Sequence, residues 1–279
     1  MAARSTIEWT QSSWNFISGC SRQSPGCLNC YAASIAYRFS GPGLPYEGLA
    51  RLVNGKPAFT GKVKFNADAL NLPRTWKNPR FIFVNSMSDL FHRNVSDDII
   101  DSAFNVMAET PRHTYQVLTK NPQRMIRWLA RPFEQTGLTH RPPYSNVILG
   151  ASIEDAKRAR DRFPNLCLVG EDGWRTMVSM EPLLQAVEIP QRYLNLGPRA
   201  WVIVGGESGP GARPFNVEWA EQIVAQCRSA SVNVFVKQVG SRALRPTGER
   251  LPTSSRKGGD MAEWPEPIRV REMPAPAVA

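Results

Sequence analysis

A chain of 279 residues, 42% hydrophobic and 21% charged, has the make-up of a globular protein of one large α/β domain or two small ones. No run approaches the ~18 apolar residues of a membrane span, and the opening Met1-Ala-Ala-Arg-Ser-Thr-Ile-Glu-Trp9 has no signal-peptide core, so a cytoplasmic address with reduced cysteines is expected. A formal net charge of +10 draws in polyanions or phosphorylated substrates, though it equally serves to keep a surface solvated.

Residues 6 to 19, with Ile7, Trp9, Trp14, Phe16 and Ile17, read as one or two short strands. They lead into Cys20-Ser-Arg-Gln-Ser-Pro-Gly-Cys27-Leu-Asn-Cys30, where three of the five cysteines are spaced C-x6-C-x2-C. A C-x2-C pair can aim two thiolates at one ion or cluster from a tight turn, and Pro25-Gly26 supplies the turn. The third sulfur reaches the same point over a short loop. The three histidines, His92, His113 and His140, all lie far along the chain. Structural zinc sites are closed by four protein ligands, whereas three cysteines on an iron–sulfur cluster leave one iron open to a small molecule. A disulfide, a chance cluster, or a zinc site with a distant fourth ligand are the competing readings. Cys20, Cys27 and Cys30 are taken as metal ligands.

After Cys30 a helix-prone run places Tyr31, Ile35 and Phe39 along one face, and Ser40-Gly-Pro-Gly stops it. Residues 40–79 are rich in Gly and Pro with scattered basic groups, an excursion or lid with one short helix near 66–72. An alternation then begins. Phe81–Val84 is a strand buried on both faces. Ser96 caps a helix whose stripe includes Ile99, Ile100, Ala103, Phe104 and Met107. Tyr115–Leu118 is a strand, and Pro122 opens a helix over 123–129. Val147–Leu149 is followed by a charged helix over 155–162, its four basic residues (Lys157, Arg158, Arg160, Arg162) forming a solvated face. Leu166–Val169 reads as a possible short strand. Thr176–Ser179, Trp201–Val204 and Val234–Val236 are clear strands, with a helix over 218–230 in which Cys227 is a core thiol.

Strand–helix alternation with apolar strands implies right-handed βαβ units. The expected fold is α/β, a partial or complete parallel (βα) barrel of six or seven strands over residues 1–240. It carries the cysteine loop at 20–30 and the insertion at 40–79. Residues 241–279 form a basic, Pro-rich appendix anchored by Trp264, Ile268 and Val270. Ligands gather at the carboxyl ends of such strands, where the sequence places Asn85, Ser86, Ser88, Asp89, Thr119, Lys120, Ser152, Glu154, Glu181, Glu207, Ser208, Lys237 and Gln238.

A [4Fe–4S] cluster on three cysteines can be chelated at its open iron by S-adenosylmethionine, and electron transfer to the sulfonium then yields a 5′-deoxyadenosyl radical. Carboxylates and hydroxyls suit the amine and ribose of that molecule; a basic side chain suits its carboxylate. Ser86, Ser88 and Asp89 are the candidates for the first role, Lys120 for the second. Glu207, after Gly205-Gly206, could grip an amine or hydroxyl.

Ile7-Glu-Trp-Thr10, Trp14-Asn15, Gly19-Cys20, Ser24-Pro-Gly-Cys27-x-Asn-Cys30-Tyr-Ala32, Phe83-Val-Asn-Ser-Met-Ser-Asp-Leu-Phe-His92, Leu118-Thr-Lys120, Val204-Gly-Gly-Glu-Ser-Gly-x-x-Ala-Arg-Pro214, Phe235-x-Lys-Gln238, Lys257-Gly-Gly-Asp260, Trp264-Pro265 and Arg269-Val-Arg-Glu272 together resemble the blocks of an uncharacterised bacteriophage and bacterial family of three-cysteine proteins. The resemblance runs nearly end to end. It implies a barrel similar to that of radical S-adenosylmethionine enzymes and a phage or prophage setting, and it brings no known reaction. The first cysteine gap is six residues where the commonest radical pattern has three, and Tyr31 follows the last cysteine instead of preceding it.

The expected function is therefore a radical S-adenosylmethionine-type enzyme with a [4Fe–4S] cluster and S-adenosylmethionine as cofactors. Its substrate is not readable from the sequence; the basic balance and the phage setting point toward a nucleic acid or nucleotide, and a reductant protein would supply electrons. One alternative is a non-catalytic module stapled by zinc or a cluster that binds nucleic acid. Another is a metal-independent barrel enzyme such as a glycosidase using Glu181 and Glu207, which as a retaining enzyme would need those carboxyls ~5 Å apart.

Overall fold

A computed structural model describes residues 5–131 and 141–276, so His140 lies outside the described residues. In chain order the principal elements are β1 (Ser12–Trp14), α1 (Tyr31–Arg38), β2 (Phe81–Val84), α2 (Asp97–Glu109), β3 (Thr114–Thr119), α3 (Pro122–Leu129), β4 (Val147–Ser152), α4 (Ala156–Glu171), β5 (Arg175–Met180), β6 (Ala200–Gly205), α5 (Val217–Ser229) and β7 (Asn233–Gln238). The seven strands form one parallel sheet in the order β1-β2-β3-β4-β5-β6-β7. Spatial order thus repeats sequence order, with no switch point. This is the α/β fold of a partial parallel (βα) barrel. Two compact units divide the chain, one of Met1–Leu149 with Pro276–Ala279 and one of Gly150–Ala275.

In the first unit Ser12 pairs with Ile82 and Trp14 with Val84, while Phe81 pairs with Thr114 and Val84 with Val117. Ile82, Phe83 and Val84 are all buried, as the continuous apolar run dictates. The Trp14 ring is fully buried against Phe16 and Tyr115, with centroids 4.5 and 5.6 Å away. Its indole N–H donates to the Ala69 carbonyl at 2.8 Å. That bond ties down the helical turn Ala67–Leu70, capped by Asn66 and followed by a second turn, Leu72–Thr75. The 40–79 excursion therefore holds the expected helix, but also an antiparallel hairpin, Ala50–Val53 with Lys56–Phe59. Asn54 and Gly55, both at positive φ (+51° and +71°), make its two-residue turn. In α2, Ser96 occupies the cap position without a capping side-chain bond, and Asp97 binds Arg124 and Arg131 instead.

In the second unit α4 corrects the sequence reading. Leu166–Val169 is not a strand but the second half of one helix that runs through Pro164 to Glu171. Phe163, Leu166, Cys167, Val169 and Gly170 form its buried stripe, and the packing of that stripe outweighs the missing N–H of Pro164. Arg162 is likewise not on a solvated face. It is buried and donates to the carboxylate of the fully buried Glu154 at 3.0 Å. Cys227 is fully buried, as expected of a core thiol. Trp264, Ile268 and Val270 anchor the C-terminal segment, with the Arg271 guanidinium 5.6 Å over the Phe235 ring and 5.3 Å over the Trp264 ring.

Candidate metal centre

After β1 the chain passes through Asn15, a short pairing of Ile17–Ser18 with Lys64–Phe65, and Gly19 before entering the cysteine loop. Gly19 has φ +94°, bridges to Ser88, and leaves so little room that a Cβ would stand 2.2 Å from the Lys62 carbonyl oxygen. Only glycine fits there. The Cys20 carbonyl accepts from the Gly61 amide at 3.0 Å. Ser21 Oγ lies 2.7 Å from His92 Nε2, and the Asn94 amide donates to His92 Nδ1 at 3.2 Å. Because Nδ1 accepts, the neutral ring carries its proton on Nε2 and donates to Ser21. Asn94 Nδ2 also donates to the Gly61 carbonyl at 2.9 Å. The loop is thus fastened to the segment after β2 through His92, which the sequence reading did not select. The available signal was a histidine eight residues beyond a buried strand end.

Pro25–Cys27 is a single 3₁₀ turn in which the Cys27 amide bonds the Ser24 carbonyl at 3.0 Å, as the Pro-Gly dipeptide foretold. Cys30 then occupies the cap position of α1. All three thiols are free and half-buried. Burial pushes the Cys20 thiol well up, and the negative charge of Asp89 and the neighbouring Cys27 and Cys30 push the same way. Burial also raises Cys30; the amides of Ala33 and Ala32 and the charge of Lys120 oppose it, while Cys27 adds to it. The three sulfurs share one electrostatic neighbourhood. Among the described residues no group of three or more His, Cys, Asp or Glu is arranged as the ligand set of a single metal ion. In donor chemistry the loop fits an iron–sulfur cluster, whose thiolates bind separate irons. It presents three cysteines from one loop, with helix amides and a cation beside one of them.

The segments after β2 and β3 bring four further candidates into the same unit. Ser86 Oγ meets the side-chain amide of Asn15 at 3.1 and 3.2 Å, and the Ser86 carbonyl accepts from the Tyr31 hydroxyl at 2.9 Å. Asn85, buried at φ +58°, accepts from the Ile17 amide through Oδ1, and its Nδ2 has no hydrogen-bond partner. The Ser88 hydroxyl is buried and also lacks one. Asp89 is a clamp: Oδ1 accepts from the Phe91 amide (2.9 Å) and the Thr119 hydroxyl (2.7 Å), and Oδ2 accepts from the Lys120 amide (2.9 Å). Lys120 begins the turn into α3 and is half-buried. Asn15 was missed because the polar residue following the first, very short strand received no weight.

Glu207 belongs to the second unit. Its carboxylate takes the Arg213 guanidinium in a two-oxygen fork, at 2.6 and 3.0 Å, together with the Arg213 amide at 2.9 Å. In that same unit Glu181 accepts from Lys237 Nζ at 2.6 Å, and Gln238 Nε2 donates to the Gly206 carbonyl at 3.0 Å. Each of the two carboxylates of the glycosidase alternative is therefore held by a cation of its own.

A family described as "Protein of unknown function (DUF5131)" matches residues 4–263. No curated protein matches the chain. Among solved structures, a cysteine-to-serine mutant of spore photoproduct lyase superposes with a TM-score of 0.50 at 10% identity, over 85% of this chain and 79% of that one. At this identity the likeness bears on the fold alone. Among the described residues no helix is long and apolar enough to cross a membrane.

Proposed function

We propose that this chain, which belongs to the DUF5131 family, is a radical S-adenosylmethionine-type iron–sulfur enzyme acting on a nucleic acid or nucleotide. The observation that carries the reading is one short loop bearing Cys20, Cys27 and Cys30, folded through a 3₁₀ turn onto the cap of α1 and fastened to the segment after β2 by the Gly19–Ser88 bridge and the Ser21–His92 bond. These cysteines would hold a [4Fe–4S] cluster, and Ser86, Ser88, Asp89 and Lys120 of the same unit are the candidates for holding S-adenosylmethionine or substrate. When bound, the pair supplies one-electron reductive cleavage of a carbon–sulfur bond, with electrons from a reductant protein.

The chain's own residues prepare for this in three ways. Lys120 and the first amides of α1 favour the thiolate of Cys30 against the cost of burial. Asp89 fixes the Lys120 backbone through the Lys120 amide, so the ammonium is presented from a rigid turn. The hydroxyl of Ser88 and the Nδ2 of Asn85, both buried, are available to a polar ligand once one is bound.

Anaerobic reconstitution with iron and sulfide tests the proposal. The expected result is a brown protein with about four irons per chain that cleaves S-adenosylmethionine to 5′-deoxyadenosine when reduced. Replacing Cys20, Cys27 and Cys30 together by Ala should abolish both properties. A colourless protein carrying one zinc per chain, or cleavage undiminished in the triple variant, overturns it.

A further inference from the structure

The helix that follows the cysteines is oriented against its own pattern. Ala32, Ala33 and Ala36 face inward, Ala32 and Ala36 packed with Ala50 and Met87, while Tyr31, Ile35, Tyr37 and Phe39 are 54, 42, 39 and 42% exposed. An eight-residue helix that buries its alanines and displays its aromatics is not serving its own core. The hairpin 50–59 packs directly beside it and displays Leu52 and Val53.

Charge is concentrated on the same stretch. Residues 20–65 carry six basic side chains (Arg22, Arg38, Arg51, Lys56, Lys62, Lys64) against the single acid Glu47, half of the +10 of the whole chain in a sixth of its length. All six are exposed, and Glu47 is occupied by the Gly43 amide at 2.9 Å. The Arg38 guanidinium lies 5.7 Å over the Phe39 ring, so cation and aromatic already share one place.

We infer that the outer face of α1 and the adjoining hairpin form a docking surface for single-stranded nucleic acid. Cations that follow a phosphate backbone, alternating with flat rings on which unpaired bases stack, are the two requirements for binding a strand without sequence preference. A duplex keeps its bases stacked and has no use for the rings. An acidic protein would use the cations, but gains nothing specific from aromatics spaced along the helix. An amphipathic membrane helix would not be fixed by inward alanines against a hairpin. Tyr31 stands at the cysteine end of α1, hydrogen-bonded to Ser86 after β2, so a strand lying along the helix runs toward the candidate centre. The inference deepens the proposed function by choosing the single strand among its substrate classes, and its test is independent of the cluster.

The experiment is fluorescence anisotropy of the full chain, as purified and without S-adenosylmethionine. The probes are labelled oligothymidylate and oligouridylate of about 20 nucleotides, longer than one binding site, and a duplex of the same length. Either single strand should bind at least tenfold more tightly than the duplex, with affinity falling as salt rises. Replacing Tyr37 and Phe39 together by Ala should weaken single-strand binding tenfold or more while keeping the salt dependence. Replacing Arg38 and Arg51 together by Glu should weaken binding and flatten that dependence. Both pairs are exposed, and circular dichroism checks that each variant is folded. The inference falls if the duplex binds as tightly, or if the aromatic variant binds like the parent. It falls too if poly-L-glutamate displaces the oligonucleotides as well as they displace each other, or if phosphatidylserine vesicles bind in preference to both. Strand binding without cleavage of S-adenosylmethionine would sink the enzyme and leave the surface; the opposite pair of results would sink the surface alone.

Discussion

His113 shows how one buried side chain sets a pH dependence. The ring is fully buried, with Nε2 3.2 Å from the Pro73 carbonyl and Nδ1 without a hydrogen-bond partner. Trp76 and Tyr115 pack edge-on against it. Burial lowers its pKa from the ordinary value, the charges of Arg112 and Arg80 lower it further, and the backbone of Pro73 and, more weakly, of Trp76 opposes them. The folded state therefore binds a proton less readily than the unfolded chain, whose histidine titrates near pH ~6.5. Its contribution to stability is fully present above that value and is lost as pH falls through the depressed folded pKa. The urea midpoint should drop between about pH 7 and pH 5, and His113→Leu should flatten part of the drop. An unchanged slope in the variant would show that other groups carry it.

At the scale of elements, the turn between β2 and α2 depends on Asp89, which joins it to the end of β3. Asp89→Ala would strand the Thr119 hydroxyl and two backbone amides, at a cost of about 3 kcal/mol. A chemical-denaturation midpoint unchanged from the parent would refute this clamp. Elements also show where sequence reading reaches its limit. The strands were legible because buried parallel strands are short, continuous apolar runs. Pro164 and the apolar run after it disguised the second half of α4 as a strand, since a short apolar run reads the same either way. The Asn54-Gly55 turn was a readable hairpin signal that the surrounding Gly and Pro obscured. The outward stripe of α1 could not be read at all. Periodicity tells which residues share a face, but not which face meets the core.

For the molecule as a whole, the cysteine spacing made the candidate centre legible, and its neighbours less so. Ser86, Ser88, Asp89 and Lys120 were named as candidates because ligand sites follow strand ends. His92 and Asn15 were not, because their roles come from contacts between segments some seventy residues apart (Ser21 with His92, Asn15 with Ser86). That same separation governs how the molecule comes together. Neighbours β2 and β3 pair Phe81 with Thr114, and β6 and β7 pair Trp201 with Asn233, whereas β1 sets Ser12 opposite Ile82 and gains only three rungs. Loop-closure entropy rises with the length enclosed, by about 0.6 kcal/mol per doubling, so the outermost strand has the weakest hold on the sheet. Native-state hydrogen exchange should find the amides of Gln11 and Asn85, which bond across this seam, opening at lower free energy than those of β3. Equal protection would show that the Trp14 anchor makes up the difference. If the seam does open first, the thiol-bearing loop is assembled last in folding and is the first part to come undone.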